Sequence, residues 1–188
     1  MKERCSWSTK DPLYIQYHDE EWGVPVHDDK KLFEFLILEG VQAGLSWLTV
    51  LRKRENYRKA YDDFDVRKVA VYGQDKIDEL MNNEGLVRNK LKILASITNA
   101  KCFIEVQKEF GSFDRYIWGF IGEKPIVNHW ESLSQIPATS PGSDEISRDM
   151  KKRGFKFVGS TIIYAHMQAT GMVNDHLTSC FRHGECND

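Results

Sequence analysis

The sequence predicts an all-α protein, and three observations support this fold class. Apolar residues recur at helical spacing in several separate segments. Glycine or a capping residue such as Asp, Ser or Asn separates these segments from one another. The chain has no run of alternating apolar and polar residues typical of a strand series, and no P-loop or dinucleotide-binding glycine pattern. We therefore expect helices that pack on one another.

Capping residues and glycines set the boundaries of the predicted helices. Asp11 followed by Pro12 is a helix cap with proline at the first helical position. The pair at residues 28–29 can cap the second helix, and the small-residue corner at 43–45 separates the second helix from the third. Gly85 permits a tight turn between two later helices, which together form a helical hairpin.

The predicted elements follow one another along the chain. Helices are expected at residues 12–21, 29–39, 45–60, 75–83, 87–109, 113–121, 143–152 and 155–170, with a last turn from residue 174 that holds His176 and Cys180. We expect Trp118 in the core. The stretch 122–143, which contains three prolines, is expected to be mostly loop.

Length and composition indicate a globular protein without a membrane span. The 188 residues suit one compact domain or two small interlocked lobes, and 41% of them are hydrophobic. No stretch approaches the roughly 20 apolar residues that cross a bilayer, and the first residues are not those of a signal peptide. We therefore expect a cytoplasmic protein. Its net charge of -2 gives no global electrostatic reason to bind nucleic acid.

Glu39 is the residue that most needs an explanation. At about 100° per residue it falls between Phe35 and Leu36 and opposite the polar Glu34, so its side chain is expected to point inward. An ionised carboxylate without a partner costs several kcal/mol in an apolar setting. Glu39 therefore has a fixed partner, takes up a proton, or lines a pocket that a polar ligand completes. Exposure at a helix end is the alternative.

Aromatic residues accompany Glu39 in the sequence. They are Trp7, Tyr14, Tyr17, Trp22 and Trp47. A carboxylate walled by aromatic faces suits a planar ligand with hydrogen-bond donors on its edge, especially a cationic one, because ring faces attract cations by about 0.5–2 kcal/mol. A purine alkylated on its ring meets both demands. An ordinary aromatic core is the alternative.

Two pairs of residues near the chain ends could bind a metal ion. His176 and Cys180 are four apart, and Cys5 and His18 supply the same two ligand types near the other end. Together they would join the two ends of the chain and leave no open coordination position. Buried cysteines and surface histidines are the alternative, and three further residues compete as ligands: Cys102, His183 and Cys186.

Basic residues form three local clusters. Each cluster alone is typical of a solvated helix face, but all three are separated from acidic stretches such as residues 62–65, which favours one basic surface. The clusters are Arg52, Lys53, Arg54, Arg58 and Lys59; Arg88, Lys90 and Lys92; and Arg148, Lys151, Lys152, Arg153 and Lys156. Because Arg88 and Lys90 follow the glycine turn of the hairpin, backbone N–H groups there could hold a phosphate.

Eight segments spread along the chain form a specific pattern when taken together. They are 11–14 (DPLY), 17–18 (YH), 21–25 (EWGVP), 38–39 (LE), 42–47 (QAGLSW), 53–57 (KRENY), 152–159 (KRGFKFVG) and 173–176 (VNDH). Over nearly its full length the chain resembles the bacterial 3-methyladenine DNA glycosylases of the constitutive type. These enzymes are a divergent branch of the helix-hairpin-helix glycosylases. The resemblance implies a two-lobed all-α fold that binds the damaged base between its lobes.

The resemblance also implies roles for individual residues. Glu39 corresponds to the catalytic carboxylate that hydrogen-bonds the flipped base. The other matched residues are the aromatic walls Tyr17 and Trp47, the corner Gly44 and Leu45 that enters the DNA stack, and the zinc ligands Cys5, His18, His176 and Cys180. From the aromatic set we add Tyr14 and Trp7 as base-binding residues, and from the hairpin we add Gly85 and Arg88 as DNA-contacting residues. The hairpin has one glycine where many relatives in the wider superfamily have two, and no residue is assigned to that superfamily's usual catalytic aspartate.

These assignments predict a two-lobed monomer with a structural zinc ion. We expect residues 28–118 to form the central lobe with the hairpin, and residues 1–27 and 119–188 to form the zinc-clamped lobe. The expected activity is hydrolysis of the N-glycosidic bond of 3-methyladenine in double-stranded DNA after base flipping. No lysine lies beside Glu39 in its motif, so we expect no strand cleavage.

Two other classes of protein share some of these features. A zinc-clamped DNA-binding module would have the basic clusters and the hairpin, but it has no need for an inward Glu39 among aromatic residues. A metal hydrolase would need an open coordination position and a base near the metal. The surroundings of Glu39 and the number of metal ligands therefore separate the three alternatives.

Overall fold

The computed structural model describes residues 2–8 and 10–186, and this part of the chain is mostly helical. Its α-helices are α1 (Pro12–Glu20), α2 (Asp29–Gln42), α3 (Trp47–Ala60), α4 (Val66–Val69), α5 (Gln74–Asn82), α6 (Lys90–Phe110), α7 (Phe113–Gly119), α8 (Pro141–Lys152) and α9 (Ser160–Ala169). Two short strands, β1 (Ile126–Val127) and β2 (Val173–Asn174), pair in parallel. The predicted helical fold class is confirmed. None of the described helices is long and apolar enough to cross a bilayer.

Side-chain caps begin the three helices around Glu39. Asp11 accepts a hydrogen bond from the backbone N–H of Leu13 at 2.9 Å, and Asp28 accepts one from that of Lys31 at 2.9 Å. The third helix begins at Trp47 rather than at Leu45, because the cap is Ser46, which accepts from the N–H of Thr49. Because α2 also continues past its predicted end at residue 39 to Gln42, the link between the two helices comprises residues 43–46.

Several helix boundaries in the second half of the chain differ from the prediction. α8 begins at Pro141 because Ser140 forms a capping box with Ser143. α9 begins at Ser160 rather than at residue 155, because Phe157 has a φ of +53°, which is incompatible with a helix. α6 begins at Lys90 because Asn89 provides its cap.

The stretch expected to be loop contains the strand β1, which pairs with β2 just before the segment that holds His176 and Cys180. That segment is a series of turns rather than a helical turn. Two-residue strands have no alternation that a sequence pattern could reveal. The pairing joins the loop after α7 to the C-terminal segment.

Helix α2 lies at the centre of the fold. Ten consecutive residues of this helix, from Leu32 to Val41, are buried, which is typical of a helix that is surrounded by protein. The expectation that Glu34 lies on a polar face is wrong, because its carboxylate is buried against Arg54 Nε at 2.7 Å and Arg58 Nε at 2.9 Å. The prediction that Trp118 lies in the core is confirmed.

Candidate functional site

A cavity of about 150 Å³ lies beside Glu39 in the last turn of α2. A cavity of this volume accommodates a small aromatic molecule. Its walls bring together Glu39 and all five aromatic residues of the set described in the sequence analysis, and they add Gln42, Ala165 and Gln168. The lining residues are Trp7, Tyr14, Tyr17, Trp22, Glu39, Gln42, Trp47, Ala165 and Gln168.

The aromatic residues of the cavity touch one another in pairs. The ring centroids of Tyr17 and Trp47 are 5.5 Å apart at an angle of 49°, and those of Trp7 and Tyr14 are 4.8 Å apart at 53°. Because Tyr17 and Trp47 are in contact, a flat ligand does not fit between them in this arrangement. It would lie against their exposed faces instead.

The carboxyl group of Glu39 has no hydrogen-bond or ion-pair partner among the residues that the structure describes. Only 4% of this residue is exposed, and burial raises its pKa to about 8. Without a ligand Glu39 is therefore mostly protonated at neutral pH. A cationic ligand in the cavity would favour the ionised form, because an opposite charge nearby lowers the pKa of a carboxyl group. The arrangement suits a positively charged, planar guest.

The raised pKa of Glu39 predicts a pH-dependent difference between the parent protein and Glu39→Gln. Between about pH 4.5 and pH 8 the unfolded chain loses this proton before the folded protein does, so the parent loses stability as the pH rises. Relative to that of the variant, the parent's free energy of unfolding should fall by about 1.4 kcal/mol per pH unit over this range, to a total of about 5 kcal/mol. Urea unfolding at pH 5, 7 and 9 measures this difference. If the free energies of unfolding of the two proteins changed equally with pH, Glu39 would not be desolvated.

Cys5, His18, His176 and Cys180 form one buried cluster, with their four candidate ligand atoms within 4.8 Å of one another. Cys5 Sγ lies 3.7 Å from His176 Nδ1, and Cys180 Sγ lies 3.4 Å from His18 Nε2 and 3.6 Å from His176 Nδ1. The usual Zn–S and Zn–N bond lengths and a tetrahedral angle place a sulfur ligand about 3.6 Å from a nitrogen ligand. The geometry therefore fits Zn²⁺. The competing residues Cys102, His183 and Cys186 are outside this cluster.

The second ring nitrogen of each histidine is also bonded. His18 Nδ1 lies 2.8 Å from Asp19 Oδ1, and His176 Nε2 lies 2.9 Å from the carbonyl oxygen of Trp22. Asp19 is held in turn by Arg4, whose guanidinium donates to both carboxylate oxygens. Such outer contacts fix the ring orientation of metal-binding histidines. Each ring therefore presents its other nitrogen to the cluster.

The predicted DNA-contacting corner lies at the surface between α2 and α3. Gly44 has a φ of +82°, and a side chain there would meet no atom within 4 Å. Leu45 is 36% exposed. Lys92 Nζ donates to the carbonyl oxygens of Val41 and Ala43, both at 2.6 Å. The C-terminal end of α2 is therefore fixed, and the corner projects from it.

The glycine turn of the hairpin differs from a simple phosphate-binding turn. Its backbone N–H groups already donate within the protein, from Gly85 to Asn83 Oδ1 at 2.9 Å and from Val87 to Tyr57 Oη at 3.1 Å. Glycine is required at position 85 because the Asn56 side chain packs against the backbone there, and a Cβ would lie 2.9 Å from it. Arg88 is exposed and has no partner among the described residues, so it remains available to a phosphate.

The predicted basic clusters are only partly available to a ligand. Arg54 and Arg58 are committed to Glu34, and Lys92 to the end of α2. Arg153 pairs with Glu109 and Asp149. The exposed cations of these clusters that have no ion pair among the described residues are Lys59, Arg88, Lys90, Arg148, Lys151, Lys152 and Lys156. The basic surface that these clusters can offer to a ligand therefore contains fewer free cations than the sequence suggests.

The mostly helical fold and a carboxyl group in an aromatic cavity are features of a base-binding enzyme, and comparison with known proteins identifies the family. The family model "Methyladenine glycosylase" matches residues 7–183, so the chain belongs to this family, as predicted. DNA-3-methyladenine glycosylase 1 of Escherichia coli (strain K12) is 49% identical over 178 residues, which cover 95% of each chain.

Solved structures agree with this family. A crystal structure of 3-methyladenine DNA glycosylase I superposes with a TM-score of 0.93 at 49% identity, covering 95% of this chain and 98% of that one. The structure of 3-methyladenine DNA glycosylase I from Staphylococcus aureus, which concerns 3-methyladenine recognition, gives a TM-score of 0.92 at 36% identity. That match covers 95% of each chain.

Sequence reasoning did not identify three residues of the cavity: Gln42, Ala165 and Gln168. Gln42 precedes the corner and was part of a matched segment, but its spacing alone carries no sign of a ligand contact. Ala165 and Gln168 are three apart and share a face of α9. Nothing in the sequence indicates that this face meets the end of α2.

Proposed function

We propose that the protein is a monofunctional DNA-3-methyladenine glycosylase. It hydrolyses the N-glycosidic bond of 3-methyladenine in double-stranded DNA and releases the free base. The observation that carries this proposal is the buried, unpartnered carboxyl group of Glu39 facing an aromatic cavity. Neither a DNA-binding module nor a structural core requires a carboxyl group in such a place.

The proposed reaction begins with extrusion of the damaged base, which costs a few kcal/mol. Methylation at N3 makes the adenine a cation. Its positive charge lowers the pKa of the Glu39 carboxyl group and so favours the ionised form. Glu39 then accepts hydrogen bonds from the amino edge of the base, while Tyr17 and Trp47 contact its ring. Water attacks the anomeric carbon as the C–N bond breaks, and the proton that it loses on becoming the sugar hydroxyl passes to solvent. The bonding electrons neutralise the charge of the departing base, so the base needs no proton from the protein.

Leu45 is proposed to fill the gap that the extruded base leaves in the stack. Leu45→Ala should lower kcat/KM for methylated duplex DNA about 10- to 30-fold, because about 2 kcal/mol of apolar contact is lost. Binding of free 3-methyladenine should be unchanged, since Leu45 does not line the cavity. Excision kinetics and a free-base titration measure the two effects. Equal losses in both assays would place Leu45 in the structural core instead.

The four-residue cluster is proposed to hold a structural zinc ion. With Cys5, His18, His176 and Cys180 as ligands, zinc would have no open position for water, which argues against a metal hydrolase. When bound, the ion would supply cross-linking of the N- and C-terminal segments rather than reaction chemistry. This link supports the proposed division into a lobe of residues 28–118 and a zinc-clamped lobe of residues 1–27 and 119–188.

The proposed partner is double-stranded DNA that contains 3-methyladenine, contacted through the corner at Gly44 and Leu45 and the hairpin at Gly85 and Arg88. Exposed, unpaired cations such as Arg88 are suited to phosphate contacts that position a duplex without reading its sequence. We propose that the protein acts as a cytoplasmic monomer.

Incubation of the purified protein with methylated duplex DNA tests the activity. We expect free 3-methyladenine by chromatography, and intact strands that break only after alkali cleaves the abasic sites. A DNA-binding module would retain the duplex and release no base. Strand breaks formed without alkali would contradict the monofunctional assignment.

A further inference from the structure

Gln168 is a polar wall of the cavity that the proposed reaction has not used. It lies in the last turn of α9, whereas Glu39 lies in the last turn of α2, so two different helices bring polar side chains to the same cavity. Gln42, the other amide at the cavity, donates to the carbonyl oxygen of Leu45 and belongs to the surface corner. Gln168 is partly buried and is bonded to a fully buried residue instead.

A buried carboxylate fixes the orientation of the Gln168 amide. Gln168 Nε2 donates to Asp175 Oδ2 at 2.9 Å, and Asp175 is completely buried. The same carboxylate accepts from Asn128 Nδ2 at 2.7 Å, Trp130 Nε1 at 2.8 Å and Tyr164 Oη at 2.6 Å. A carboxylate surrounded by donors can only accept, so a reversed amide would set two oxygens against each other. The nitrogen of Gln168 must therefore face Asp175.

This orientation leaves the carbonyl oxygen of Gln168 as the free end of the amide. The oxygen accepts no hydrogen bond from the residues that the structure describes. Because the side chain is held in place, little conformational entropy is lost when a ligand binds to it. The cavity thus offers two groups that accept hydrogen bonds, the Gln168 oxygen and the carboxylate of Glu39 when it is ionised.

We propose that Gln168 is a specificity-determining residue, whose carbonyl oxygen accepts a hydrogen bond from the exocyclic amine of the bound base. The inference rests on the proposed glycosylase function. An exocyclic amine has two N–H donors, whereas an exocyclic carbonyl has none. A base with a carbonyl at this position would face an acceptor and leave it unpaired, and such a mismatch discriminates strongly in buried sites. Asp175 is the positioning residue for this contact.

Binding of two free bases tests the role of Gln168. The probes are 3-methyladenine and 3-methylhypoxanthine, which differ by an amine in place of a carbonyl group. Gln168→Met, which has a similar side-chain volume, should bind 3-methyladenine about tenfold more weakly, because one hydrogen bond is lost. Its affinity for 3-methylhypoxanthine should not fall and should rise, because the variant removes the acceptor that would face the carbonyl group. Gln16→Met, at an exposed position of α1, is the matched control and should bind both bases as the parent does.

Two results would overturn the proposal. Equal weakening for both bases would mean that Gln168 only supports the cavity, and unchanged affinity for both bases would mean that its oxygen does not touch the base. If Gln168→Met does not fold, the ¹⁵N-labelled side-chain amide of Gln168 in the parent protein provides the measurement. Its resonances should shift with 3-methyladenine and not with 3-methylhypoxanthine, and equal shifts would contradict the proposal. Failure of the parent to release any base from DNA would instead overturn the proposed function.

Discussion

Glu39→Gln is expected to lower the rate of 3-methyladenine release from duplex DNA about 100-fold or more. The variant keeps the shape of the side chain but loses the negative charge that stabilises a cationic base in a site with little water. Single-turnover release of the base under saturating protein measures the effect. The carboxyl group has no protein partner to lose, so the variant should fold normally.

A matched control separates the role of Glu39 from a general effect of removing a carboxylate. Glu79→Gln changes an exposed residue of α5, whose one ion pair among the described residues is with Lys76, and it should release base at the parental rate. Parental activity in Glu39→Gln would show that the carboxylate has no part in excision. A loss of activity that follows a loss of folded protein would assign Glu39 to stability instead.

Loss of the proposed metal site is expected to have the largest effect on stability. Cys180→Ala should lower the melting temperature by more than about 10 °C, because metal binding contributes directly to folding and about 4 kcal/mol or more would be lost. A chelator should have the same effect on the parent protein. Calorimetry measures the melting temperature, and native mass spectrometry should find one zinc ion per parent chain.

Cys102→Ala is the control for this experiment, since Cys102 is half-buried and lies outside the cluster. It should retain the metal. If the parent contains no metal and the chelator leaves its melting temperature unchanged, the zinc proposal is wrong. If the chelator abolishes base release without changing the melting temperature, the metal takes part in catalysis.

The cluster and the cavity share a wall, so the two largest effects should be connected. Trp22 lines the cavity, and its carbonyl oxygen accepts from His176. Its ring also contacts the His176 ring edge to face, with centroids 4.7 Å apart. A metal-free protein that remains folded at low temperature should therefore bind the free base more weakly, because this wall is no longer held in place.

Helical periodicity was sufficient to predict the direction of Glu39, because a residue on the apolar face of a helix points where its neighbours point. The same reasoning failed for Glu34. Its partners Arg54 and Arg58 come from another helix, and two guanidinium groups allow a carboxylate to be buried where periodicity places it in water. Periodicity describes one helix at a time and cannot include such pairs.

Features that depend on contacts between distant segments also could not be predicted from the sequence. The start of α9 was missed because Phe157 adopts a positive φ, which the sequence around it does not require. The four candidate metal ligands and the aromatic residues could be suggested from residue type and spacing, but competing ligands and an ordinary core remained open until the resemblance selected among them, since residues so far apart in sequence have no local pattern. Gln168 was missed because its role depends on Asp175 and on the packing of α9 near Glu39.

A crystal structure of the protein with free 3-methyladenine tests the central claim most directly. We expect the base in the cavity, with its exocyclic amine about 2.7–3.2 Å from a carboxyl oxygen of Glu39 and its ring against Trp47. A base bound elsewhere, or one that lies in the cavity without contacting Glu39, would contradict the account.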